Sequence, residues 1–150
     1  MRKIDDVDRV ILSELLNDAR KPFQEIARTL GVSGAAIHQR VKRLEDEGVI
    51  LGSRLLVKPS ALGLTVCVYI NVSLSEAHKY QEVVEALKKI PEIAEVHFVT
   101  GKYALLVKAY CLDNDHLINV LIRNIQNIPY IQATDTTISL FTAFERQVMG

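Results

Sequence analysis

His38, Gln39, Lys42 and Arg43 follow closely on the small residues Ser33, Gly34 and Ala35. An imidazole and an amide can hydrogen-bond the edges of bases, cations neutralise phosphates, and small side chains let a backbone come close. The chemistry on offer is recognition of a nucleic-acid groove. Chemistry of other kinds finds little support. His38, His78, His97 and His116 have no partner at metal-ligand spacing, and Cys67 and Cys111 sit in apolar runs without a Cys-x-x-Cys pattern. The cysteines read as buried thiols of a reducing compartment. A nucleophile motif and a Gly-rich phosphate loop are both missing, so an enzyme is not expected, nor a metal or cofactor.

Groove recognition needs a rigid element to carry those side chains, and residues 23–43 supply a helix, a tight turn and a second helix. Phe23, Ile26, Ala27 and Leu30 line one face of the first helix. Gly31 suits a left-handed helix end, after which Val32 is expected to tuck back into the core. Ser33 is placed to cap the second helix, an interaction worth about 1 kcal/mol, and Ala36 precludes a reciprocal capping box. Ile37, Val41 and Leu44 form the inward stripe. At about 100° per residue, Ala35, Gln39 and Lys42 point directly away from it, with His38 and Arg43 on its shoulders and Arg40 nearer the core edge.

The same pattern also fits a plain helical hairpin with a solvated basic face, and the flanks favour groove recognition. Ile4, Val7, Val10, Ile11 and Leu15 make an amphipathic helix opened by Asp5, Asp6 and Asp8, acids that the helix dipole favours. Downstream, Gly48 to Gly52 stops the helix and Arg54 to Lys58 reads as a short strand. Three helices and a strand give a winged helix-turn-helix.

A boundary is expected at the run from Lys58-Pro59 to Gly63, dividing the chain into residues 1–60 and 61–150. The second part repeats itself: Leu87 to Ile93 and Ile125 to Ile131 each read as a helix end, an Ile-Pro stop and a strand, 38 residues apart. With strands at 65–74, 96–100, 103–111 and 130–141, the order is βαββαβ, a ferredoxin-like sandwich within an α+β protein, with both helices on one face. The hairpin between the middle strands is expected to turn at Gly101-Lys102. The other sheet face, carrying Cys67, Tyr69 and Asn71, is too apolar for water and too polar for a closed core, which calls for a dimer mate. Ile118 and Ile122 widen the last helix's apolar arc to roughly 200°, enough to suggest further assembly.

Composition is compatible with all of this. Of 150 residues 49% are hydrophobic, so two small cores are affordable, and the net charge of zero excludes a nonspecific nucleic-acid coat. Residues 1–60 hold 11 Lys and Arg against 9 Asp and Glu, a balance of +2, and residues 61–150 hold 7 against 9, a balance of −2. A signal peptide and a membrane-spanning run are not evident, so the cytoplasm is the expected compartment.

The whole chain resembles the Lrp/AsnC family of feast/famine transcription regulators. The resemblance rests on Ile4-Asp5-Asp6-Val7-Asp8-Arg9-Val10-Ile11-Leu12, on Asn17-Asp18-Ala19-Arg20, and on Ile37-His38-Gln39-Arg40-Val41-Lys42-Arg43-Leu44 running into Glu47-Gly48-Val49-Ile50. Gly34 departs from it, since relatives often carry Pro there. The resemblance implies a regulator that binds double-stranded DNA, forms a homodimer through its sheets, assembles to an octamer and answers to a small amino acid held between dimers near the central hairpin. The matching residues are Thr100, Gly101, Lys102, Tyr103 and Ala104, with Thr134, Asp135 and Thr136. Backbone N–H groups of the hairpin could hold a carboxylate, Thr134 and Thr136 share one strand face and can donate or accept, and Asp135 or a carboxylate of a partner chain could meet an ammonium. The runs 99–103, 125–126 and 131–136 look most like the AsnC branch, which implies asparagine as a candidate effector.

Two other classes are open to the same residues. Gly31-Val32-Ser33-Gly34 between two helices suggests an RNA binder of the KH type, although Val32 is expected in the core and the loop lacks a central cation. A ligand-sensing regulatory subunit of an enzyme could use the second domain, but would have no use for the N-terminal helices.

Overall fold

A computed structural model describes residues 4–148. The chain divides into two compact units, residues 4–56 with 145–148 and residues 57–144. The division falls between Leu56 and Val57, where the sequence suggested a boundary after Ser60, and the last described residues group with the first unit.

The first unit is built from three helices, α1 (Asp6–Asn17), α2 (Phe23–Leu30) and α3 (Gly34–Asp46). Asp5 caps α1: its side chain accepts from the Asp8 N–H while the Asp8 carboxylate accepts from the Asp5 N–H, a reciprocal pair that satisfies two orphan donors. Gly31 ends α2 at φ 66°, a left-handed conformation that a Cβ would strain. The Val32 N–H then donates to Ala27 O at 3.1 Å, closing the helix end. Val32 itself does not tuck into the core; it remains 42% exposed, because the cap is completed by its backbone and its side chain is left outside. Ile11, Ile26, Ala27, Ile37 and Val41 form the core, with Val7, Leu15, Phe23, Leu30 and Ile50 packed around it.

The expected strand at 54–58 is not formed. Strand backbone needs a paired ladder, and no segment of the described residues supplies one; Leu55 and Leu56 are exposed. The three helices therefore stand without the wing.

In the second unit, β1 (Val66–Leu74), α4 (Tyr80–Leu87), β2 (Ile93–Phe98), β3 (Leu105–Cys111), α5 (114–126) and β4 (Ile131–Ser139) follow the βαββαβ order. All pairings are antiparallel and the strands lie in the order β2-β3-β1-β4. Alternation then decides which side chains meet the helices. Val68, Ile70 and Val72 of β1 and Leu105, Val107, Ala109 and Cys111 of β3 are buried with Val83, Leu87, Leu117, Leu121 and Ile125. Helix α5 is wound more loosely over Leu117–Ile122, a π-helical stretch between α-helical turns.

Cys67, Tyr69 and Asn71 are half-buried on the opposite sheet face, where register sets Tyr69 beside Lys108 and Asn71 between Leu106 and Asp135. Ile118 is 58% exposed on α5, as its surplus apolar arc suggested.

Candidate functional site

Helix α3 presents the first candidate surface. Ser33 is its N-cap, the hydroxyl accepting from the Ala36 N–H at 3.2 Å, and no side chain answers from Ala36. Gly34 opens the helix close to Gln24, whose amide a Cβ at Gly34 would crowd. Ala35, His38, Gln39 and Lys42 are all exposed, while Ile37, Val41 and Leu44 are buried. The outward face thus runs from small to long side chains along the helix. The His38 ring sits edge-on to Phe23, with centroids 5.9 Å apart, so its direction is set by α2.

Arg43 is placed otherwise than the sequence suggested. Its Nη2 donates to both oxygens of Asp8 at 2.8 Å, and Arg40 Nη1 donates to Asp5 at 2.7 Å and to Asp8 at 2.8 Å. Asp8 is buried, at 2% exposure. A buried carboxylate must be paired, and the paired spacing of Asp5 with Asp8 on α1 and of Arg40 with Arg43 on α3 lets each guanidinium reach across. Hydrogen bonds from the Arg40 guanidinium and the Asp8 N–H hold the Asp5 carboxyl down to about 2. The i, i+3 recurrence of acids and arginines was the sequence signal for this network. It was missed because helix-capping alone accounted for the acids.

Of the run weighed as an alternative KH-type loop, Gly31 is the end of α2, Ser33 the cap of α3 and Gly34 its first residue.

The second candidate region brings the β2–β3 connection to the edge strand β4. The hairpin is wider than a turn at Gly101-Lys102. Phe98 pairs with Leu105, the Val99 N–H donates to Ala104 O at 3.0 Å, and residues 100–103 form the loop, with Gly101 at φ 118°. The Ala104 N–H is committed to Val72 O at 2.9 Å, so it cannot serve a ligand. The Tyr103 hydroxyl donates to Asp135 Oδ2 at 3.0 Å, and the Lys102 ammonium lies 5.1 Å from the Tyr103 ring. Thr100 is exposed at the loop's start. A concavity of about 350 Å³ opens here, lined by Ser73, Phe98, Gly101, Lys102, Tyr103 and Gln132 among others.

Thr134 and Thr136 do not join Asp135. They pair with Val72 and Ile70, so they point to the helix side of β4, where Thr134 Oγ1 accepts from Gln126 Nε2 at 3.3 Å. Asp135 pairs with Asn71 and faces the opposite side.

Other polar clusters are local. His116 lies 3.2 Å from Glu92 and its Nδ1 accepts from the Leu112 N–H; no group of metal-ligating side chains is present among the described residues. Burial pushes the Cys111 thiol up to about 11, and neither cysteine forms a disulfide among the described residues. No helix among the described residues is long and apolar enough to cross a membrane.

A helix-turn-helix with an exposed polar second helix, joined in one chain to a ferredoxin-like unit, has the build of a DNA-binding regulator with a sensing domain. The chain belongs to the Lrp/AsnC family of transcription regulators: residues 4–45 match the AsnC-type helix-turn-helix domain and residues 65–149 the Lrp/AsnC ligand binding domain. It is 37% identical to the regulatory protein AsnC of Escherichia coli over 145 residues, 97% of this chain and 95% of that one. An HTH-type transcriptional regulator of Pyrococcus horikoshii is 37% identical over 139 residues, 93% and 91% of the two chains. The solved structure of Escherichia coli AsnC matches at a TM-score of 0.91 over 98% of this chain and 99% of that one. A feast or famine regulatory protein from Mycobacterium tuberculosis, solved with L-methionine, matches at 0.90 with 26% identity, over 98% and 99%. The relatives are regulators and not enzymes.

Proposed function

We propose that this regulator binds duplex DNA through α3 and that its DNA affinity or assembly responds to a free amino acid held where the β2–β3 loop meets β4. The observation that carries the effector reading is the Tyr103–Asp135 hydrogen bond, which ties together two segments 32 residues apart beside an open concavity. An amino acid is a zwitterion. Lys102 and the N–H groups of residues 100–103, which donate to no backbone carbonyl among the described residues, suit its carboxylate; Asp135 suits its ammonium. The Mycobacterium tuberculosis relative with L-methionine supports an amino-acid ligand, and the resemblance to the AsnC branch makes asparagine a candidate.

In this reading the protein works in the cytoplasm as a homodimer that assembles to an octamer. The support is the half-buried open sheet face of Cys67, Tyr69, Asn71, Leu106 and Tyr110, together with the exposed Ile118. A two-fold dimer reads pseudo-palindromic half-sites about one helical turn apart.

Calorimetry with each of the twenty amino acids, beside light scattering at saturation, tests the effector. Binding of one or a few with a change in assembly size or DNA affinity is the expected result. No heat from any of them removes the effector from the account.

A further inference from the structure

Helix α3 carries three cations in four residues, Arg40, Lys42 and Arg43, yet two of them are paired with carboxylates of the first unit. Arg43 is folded onto Asp8 so firmly that its Nε is buried without a partner. Arg40 bridges Asp5 and Asp8 with a single nitrogen. Two carboxylates thus pair two guanidinia beside the exposed His38, Gln39 and Lys42. Lys42 is exposed and has no ion-pair partner among the described residues.

This matters because cations act on DNA without regard to sequence. Each phosphate neutralised releases condensed counterions and adds about 0.9 to the slope of log affinity against log salt, for any duplex. Base edges, by contrast, are read by hydrogen bonds. A reading helix with three free cations would gain affinity everywhere and lose discrimination.

We infer that Asp5 and Asp8 are specificity-determining positioning residues: by holding Arg40 and Arg43 on α1 they keep both guanidinia off the DNA backbone and lower nonspecific affinity relative to site-specific binding. The inference rests on α3 being the element that meets duplex DNA. The pairing is built from both sides, with acids at one helical spacing and arginines at the same spacing facing them, and it leaves the amide and imidazole of Gln39 and His38 outside.

The test compares intact wild-type protein with Asp5→Asn, Asp6→Asn and Arg40→Gln, measuring the salt slope of binding to a random-sequence duplex of thirty base pairs and to a duplex selected from a random pool by the wild type. Asn is as good an N-cap as Asp, so Asp5→Asn keeps α1. Asp6 is exposed beside it and makes no ion pair with α3 among the described residues, so Asp6→Asn removes the same charge without releasing a guanidinium. Asp5→Asn leaves the partly exposed Arg40 guanidinium with Asp8 as its one remaining carboxylate, and is expected to steepen the nonspecific slope by a fraction of the about 0.9 that a full phosphate contact adds and to lower the ratio of specific to nonspecific affinity. Asp6→Asn should change the slope much less, and Arg40→Gln should leave it as in wild type. A loss of about 1 in slope for Arg40→Gln would show that Arg40 already contacts phosphate and overturn the inference. So would a slope for Asp5→Asn that matches wild type or Asp6→Asn. Circular dichroism and a melting curve for each variant separate these outcomes from unfolding. Duplex binding by wild type is read separately: its loss would remove the role of α3 in DNA binding, whereas the inference is judged on the differences among variants.

Discussion

Tyr103 and Asp135, on different elements of the sheet unit, are joined by a hydrogen bond of 3.0 Å from phenol to carboxylate. The bond fixes the loop of residues 100–103 against the edge strand and leaves Lys102 and Gly101 on the rim of the adjoining concavity. An ammonium arriving at Asp135 would share or replace the phenol as donor.

Removing the carboxylate should therefore matter more to the ligand than removing the phenol. Asp135→Asn is expected to weaken binding of a responsive amino acid by about tenfold or more, since hydrogen bonds to charged groups contribute about 1.5 to 3 kcal/mol. Tyr103→Phe should cost less, because Asp135 keeps its charge. Thr134→Ala with Thr136→Ala, on the helix side of β4, should change binding less than Asp135→Asn. Calorimetry ranks the three, and a larger loss from the Thr pair would place the pocket on the other side of β4.

On the DNA side, Gln39→Ala and His38→Ala should relax base preference, each lost base contact costing about 1 to 3 kcal/mol, while Lys42→Ala should weaken all duplexes alike. Arg43→Ala has a different expected signature. It removes one of the two guanidinia on a carboxylate that is 3% exposed and leaves Asp8 with Arg40 alone, so the loss should fall below the about 3 to 5 kcal/mol of a buried pair broken outright. A lowered melting temperature identifies this role; unchanged stability with weaker DNA binding would assign Arg43 to phosphate instead.

Acid should loosen the first unit in a defined window. The Asp5 carboxyl falls from 3.8 to about 2 on folding, chiefly through its hydrogen bond from Arg40. A depressed folded value stabilises the protein above the unfolded one, so that contribution is complete above about pH 4 and is lost as pH falls toward 2. In Asp5→Asn this part of the acid limb should be missing. Denaturant melts between pH 5 and 2 follow it, and identical pH dependence in both proteins would contradict the pairing.

Cys111 gives an alkaline counterpart. Desolvation raises its thiol to about 11, so the folded protein keeps it protonated, and that preference is lost as pH climbs from about 9 through 11. At pH 8 iodoacetamide should leave Cys111, which is fully buried, unmodified in the folded protein and reach it only on unfolding. Mass spectrometry of the labelled peptides reads this, and early labelling of Cys111 would mean that the sheet unit opens.

The periodic parts of this fold could be read from residue types. Ile37, Val41 and Leu44 recur at helical spacing and are buried, and the two Ile-Pro stops mark where α4 and α5 give way to β2 and β4. What escaped depended on a second segment. Whether Arg43 meets solvent or Asp8 is decided by how α1 crosses α3, and whether residues 54–58 form a strand is decided by the presence of a ladder partner. Val32 has the composition of a core residue, yet its backbone does the capping. At the candidate effector region, the family resemblance pointed to Tyr103 and Asp135 and strand alternation set Thr134 and Thr136 on one face, but only register showed that this face is the helix side.

The most direct test of a ligand-responsive DNA-binding regulator is a fluorescence anisotropy titration of wild-type protein against a duplex selected from a random pool, without and with each amino acid at saturation. A coupling of about 1 to 3 kcal/mol corresponds to a shift of about five- to 150-fold in duplex affinity for one or a few amino acids. Tight duplex binding that moves by this amount is the predicted result. Equal affinity for single-stranded and duplex DNA, or a duplex affinity and stoichiometry that none of the twenty amino acids alters, would contradict the account.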